Sequence, residues 1–79
     1  MSPTVLRKSG YRLFFFSREE QRMHVHVSTA GGEAKFWLDP EIELAYNHNL
    51  KRKQLREIET IVDEHAQEII DAWHNHFGN

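Results

Sequence analysis

Two histidines one residue apart, His24 and His26, stand in the run His24-Val25-His26-Val27-Ser28. On a strand, residues two apart project from one face with Cα atoms about 7 Å apart, so both imidazoles can address the same small volume. Imidazole titrates near neutral pH, which allows metal coordination, acid–base catalysis or polar contact within a binding surface. Zinc needs three or four ligands. The chain has no cysteine, and the other donors, Glu33, His48 and His74, lie where sequence alone does not bring them into register. His24 and His26 are therefore weak metal candidates, and no metal or other cofactor is expected. A ribonuclease-like site would use His24 and His26 as acid and base, with Lys35 holding a phosphate. No motif fixes a nucleophile, and such side chains are common on sheets. Packing of the two histidines against Trp37 and Lys35 across a strand pair is the plainer role.

The elements that would hold these residues can be read from turn chemistry and alternation. Thr4 to Lys8 and Tyr11 to Ser17 are β-rich runs separated by Ser9 and Gly10, which fits a two-residue hairpin. The charged stretch from Ser17 to Arg22 reads as a surface loop. A second hairpin joins strands over 23–28 and 33–38 through Thr29, Ala30, Gly31 and Gly32, the two glycines supplying positive φ. With that four-residue loop, Val27 faces Ala34, Val25 faces Phe36 and Met23 faces Leu38, which gathers the aliphatic residues on one side. The other side sets His24 across from Trp37, His26 across from Lys35, and Ser28 across from Glu33. A three-residue loop would mix histidine with phenylalanine and valine with lysine.

Asp39 and Pro40 end this strand, because proline cannot donate to a ladder. A fifth strand over 42–46 would make a sheet of five rather than four. Beyond the polar break Asn47-His48-Asn49, Leu55, Ile58, Val62, Ala66, Ile69, Trp73 and Phe77 recur at steps of three and four. The spacing predicts one long helix over 50–77, with Asn49 as N-cap and Gly78 just past the end. Its apolar stripe needs the sheet's aliphatic face. The expected fold is α+β: a small antiparallel sheet of two hairpins packed on one C-terminal helix, in a single domain over residues 1–79.

At 79 residues the chain supports one core with a thin stability margin. The absence of cysteine fits a reducing compartment, and no stretch resembles a signal h-region or a membrane span, so a cytoplasmic protein without membrane contact is expected. Residues 1–53 carry nine Lys/Arg against six Asp/Glu, whereas residues 54–79 carry one against six. A solvated acidic helix face with ordinary surface lysines accounts for this division. Lys51, Arg52, Lys53 and Arg56 nevertheless open the helix, where positive charge opposes the macrodipole. Trp37 is the most telling single residue, since alternation puts its indole away from the aliphatic core. Phe14 or Phe16 could cover it. Uncovered and rimmed by His26, Lys35 and Arg12, it would form a patch suited to a protein, or less well to single-stranded nucleic acid.

The run His24 to Val27, the run Gly32 to Leu38 with Pro40, and Ala72-Trp73 with His76-Phe77-Gly78 resemble a small bacterial family catalogued as a domain of unknown function. Members carry two prolines just before the His-x-His pair, where this chain has Arg22 and Met23. The resemblance implies a second small protein encoded nearby, in an arrangement similar to toxin–antitoxin pairs. The expectation is a non-catalytic, antitoxin-like accessory protein that binds through His24, His26, Glu33, Lys35 and Trp37. The alternative is a small ribonuclease-like toxin acting through His24, His26 and Lys35. A nucleic-acid-binding regulator stands third, since no helix-turn-helix spacing is present. Self-association is compatible with any of these.

Overall fold

The computed structural model describes residues 4–16 and 22–78. Five strands, β1 (Thr4–Lys8), β2 (Tyr11–Phe14), β3 (His24–Thr29), β4 (Gly32–Trp37) and β5 (Glu43–His48), form one antiparallel sheet in sequence order. Two helices follow, α1 (Arg52–Glu64) and α2 (Ala66–Phe77). The α+β architecture is as expected, and the fifth strand is present. β2 ends at Phe14 rather than Ser17, which lies outside the described residues. The expected loop from Ser17 to Arg22 falls outside them too, apart from Arg22.

Ser9 at φ 54° and Gly10 at φ 83° close the first hairpin with both central residues in the left-handed region. The second hairpin has the register that alternation required: His24 opposite Trp37, Val25 opposite Phe36, His26 opposite Lys35 and Val27 opposite Ala34. Thr29 and Gly32 pair as well, which shortens the loop to Ala30 and Gly31. Only Gly31, at φ 80°, uses positive φ there. Gly32 is needed for a different reason. A Cβ on it would lie 2.7 Å from Leu50 Cδ2 and 3.0 Å and 3.1 Å from the carbonyl oxygens of His48 and Asn49.

That crowding arises where β5 turns into α1. Asn47 organises the turn: its Oδ1 accepts the Leu50 N–H at 3.1 Å and its Nδ2 donates to the Leu50 carbonyl at 3.3 Å. Asn49 adopts φ 62° within the turn and is not the N-cap. Lys51 holds that position, and its N–H donates to Gln54 Oε1 at 2.9 Å.

The expected single helix is two. His65, at φ −109° and ψ 17°, interrupts the helical backbone between α1 and α2. Hydrogen bonding crosses the break, with His65 N–H donating to the Ile61 carbonyl and Ile69 N–H to that of His65. The ring Nδ1 of His65 lies 3.0 Å from Glu68 Oε1 in the next turn, holding the bend from the outside. The change of direction keeps both halves of the stripe on a twisted sheet. Ile58, Ile61 and Val62 of α1, with Ile69 and Trp73 of α2, bury against Leu13, Val25, Val27, Ala34 and Phe36. Gly78 at φ 76° ends α2, its N–H donating to the His74 carbonyl at 2.8 Å.

Candidate functional site

The side chains singled out by sequence lie on the face of the sheet away from the aliphatic core, where the Trp73 ring of α2 reaches His24. Their environments differ sharply. His24 is 0% exposed. Its Nδ1–H donates to the Arg22 carbonyl at 2.7 Å, which fixes that nitrogen as the protonated one in the neutral ring. The ring lies edge-on to Trp37 at 5.6 Å between centroids and to His26 at 5.0 Å, and packs against Trp73 of α2 at 5.3 Å. His24 therefore joins the sheet to α2 and does not reach the surface.

His26 is half-buried beneath two phenylalanines of the β2 strand and its exit. Phe14 stacks on it at 5.5 Å and Phe16 meets it edge-on at 4.3 Å. Arg12 extends over Phe14, its guanidinium carbon 4.4 Å from the ring centre. The phenylalanines thus cover His26, and Trp37 has other company. The Arg22 guanidinium lies 4.2 Å and the Lys35 ammonium 4.4 Å from the centre of the indole. Arg22 is steadied by donation from Nε to the Asp39 carbonyl at 3.0 Å and by an exposed ion pair with Glu43 at 3.8 Å. Tyr46 of β5 stands opposite Lys35 and is 48% exposed. Glu33 is exposed at the hairpin end of the same face, between Ser28 and His48 in the pairing.

The surface portion of the site is thus Trp37 with Arg22, Lys35 and Tyr46, while the histidines support it from below. Arg22 and Tyr46 were not among the sequence candidates, although a signal for each existed. Arg22 shares the parity of His24 and His26 along an extended backbone, and Tyr46 follows from Lys35 once a fifth strand is placed. Among the described residues no group of three or more His, Asp or Glu gathers in metal-binding geometry. Nor does any helix there have the length and apolarity to cross a membrane.

The family model described as Domain of unknown function (DUF4160) matches residues 10–74, which includes all of β2 to β5 and reaches into α2. The chain belongs to this family. Within the DUF4160 match lie both histidines, the Trp37 cluster and the β5–α1 turn, so the candidate face is part of the domain itself rather than of a terminal extension. No curated protein and no solved structure gives a match.

Proposed function

We propose that this chain is a non-catalytic binding module that recognises a protein partner through the Trp37 face. The observation that carries the reading is the placement of two cations over one indole, with a half-exposed tyrosine alongside. Trp, Tyr and Arg are the side chains that most often dominate interface energetics, because they bring large contact area together with a directed polar end. The indole is already engaged by Arg22, Lys35 and the edge of His24, so a nucleobase could stack on it only by displacing one of them. Carboxylates of a protein partner could instead meet the two cations where they stand.

Burial of His24, with Nδ1 committed to a backbone carbonyl, speaks for packing and against an acid–base pair with His26. In the finer form of the proposal the partner is a second small protein encoded beside this one, and the chain acts as the antitoxin-like member of the pair. Co-expression with that neighbour and affinity capture tests it. The parent should retain the neighbour, and a Lys35→Ala/Trp37→Ala variant should lose it while still melting cooperatively. Growth arrest on expression of the chain alone, relieved by His26→Ala, would overturn the proposal in favour of a nuclease toxin.

A further inference from the structure

A second surface runs along the outer edge of β5, on the other side of the sheet from Tyr46 and the Trp37 cluster. All six residues from Glu43 to His48 are exposed, and among the described residues no strand pairs with this edge. Such an edge offers a row of backbone donors and acceptors to an added strand. On the helix side it borders an open groove of about 170 Å³ lined by Phe36, Leu44, Leu55, Arg52, Arg56 and Glu59. Leu44 is 42% exposed, an apolar wall left in water. The two arginines belong to the basic opening of α1, which has no acidic residue in its first turn to offset them.

We infer that β5 and this groove capture an extended segment of a partner protein, acidic with one apolar side chain seated against Leu44 and Leu55. Three features converge there: a strand edge that no described strand pairs with, an apolar floor, and a rim of two arginines against the single carboxylate of Glu59. Charge selects the occupant. A second copy pairing β5 to β5 about a two-fold axis would bring Arg52 and Arg56 of both chains to one seam, with like charges opposed. An acidic strand neutralises the same rim. The register shift between Lys35 and Phe36 bulges β5 at Ala45, so the captured strand is short. The proposal does not depend on the Trp37 face being a recognition surface.

Selection of a random decapeptide display library on the whole chain tests this, with the recovered peptides then titrated against isotope-labelled protein. Peptides rich in Asp and Glu with a single apolar residue should emerge, and shifts should concentrate in β5 and the first two turns of α1. Leu44→Asp and Arg52→Glu/Arg56→Glu alter exposed positions; each should weaken binding at least tenfold, and the arginine reversal should select basic peptides in a repeat. Lys53→Glu, a single charge reversal outside the groove, should change affinity less than threefold, and Lys35→Ala/Trp37→Ala should leave peptide binding intact. No enrichment, binding indifferent to the groove variants, or concentration-dependent dimerisation abolished by Leu44→Asp would overturn the inference.

Discussion

Gly32→Ala separates two reasons a turn can need glycine. Gly31 is glycine because of its φ of 80°, and a Cβ there would meet nothing within 4 Å. Gly32 has no such backbone demand, and its Cβ would press on Leu50 and on two carbonyl oxygens of the β5–α1 turn. The Leu50 methyl can turn only within a buried pocket, since the residue is 8% exposed. The carbonyls belong to a turn already holding Asn49 at φ 62°. Overpacking of this kind costs about 1–3 kcal/mol, offset by about 0.4–1 kcal/mol from the stiffer unfolded chain, which leaves a net loss of roughly 1–2 kcal/mol. For a domain of this size the melting temperature should fall by about 5–15 °C. Calorimetry or dichroism measures it, and a double-mutant cycle with Leu50→Ala identifies the cause. Gly32→Ala and Leu50→Ala should be less than additive, because removing the methyl relieves the closest contact, whereas Gly31→Ala and Leu50→Ala should add. A neutral Gly32→Ala, or additivity in both cycles, would refute the close-approach account.

Ile69→Ala and Trp73→Ala should each cost about 2–5 kcal/mol, since both side chains are buried in the hydrophobic core; a variant melting within two degrees of the parent would contradict that packing. Tyr11→Phe should cost about 1–2 kcal/mol by removing the hydroxyl that donates to Glu57 Oε1 at 2.7 Å. Burial, reinforced by that hydrogen bond and by the Glu57 charge, raises the Tyr11 phenol above its ordinary 10.0. The unfolded chain therefore gives up the proton first, so this stabilisation is present below pH 10.0 and declines as pH rises through the folded value; Tyr11→Phe should abolish that decline in alkaline melts. His24→Phe should keep the contacts to Trp37 and Trp73 but strand the Arg22 carbonyl, costing about 1 kcal/mol by thermal melting without loss of fold. Zinc should neither co-purify stoichiometrically nor raise the melting temperature; metal surviving chelator dialysis would show that the His-x-His pair had been undervalued.

The register of the β3–β4 hairpin was legible because burial is a parity test, and an odd-length loop would not put Val25, Val27, Ala34 and Phe36 on one face. The break at His65 was not. Leu55, Ile58, Val62, Ala66, Ile69, Trp73 and Phe77 keep phase straight through it, and neither glycine nor proline marks the bend. β5 was seen only as an optional strand, and its polar end at Asn47 and His48 is held by pairing with Ala34 and Glu33 rather than by any propensity of its own. The depth of His24 was equally hidden, because alternation assigns a face and not a cover. What buries His24 includes Trp73, forty-nine positions away, and only the packed α2 brings the two rings to 5.3 Å.

The charge division along the chain is folded back on itself at one point, where Lys8 comes beside the acidic part of α1. α1 crosses the sheet, its first half lining the groove beside Leu44 of β5 and its second half lining a depression with Lys8 and Ser9 of the first hairpin. Glu57 and Glu64 from the acidic part of the helix share that depression with Lys8, and Glu57 also accepts the Tyr11 hydroxyl. Lys8 of the first hairpin and the acidic stretch of α1 thus line one depression, so the sequence-level imbalance says little about partners by itself. Two groups of positive charge stand apart from this depression. One is Arg22 and Lys35 over Trp37, and the other is Arg52 and Arg56 at the β5 edge. β5 joins them, since Tyr46 faces one side of the sheet next to Lys35 and Leu44 faces the other next to Phe36. An acidic strand added to β5 would alternate its side chains between the two faces, and those on the Leu44 side would meet the arginines of the groove. The two surfaces share β5 but are separable by side, so a loss of peptide binding confined to changes at Leu44, Arg52 and Arg56 distinguishes the groove from the Trp37 face.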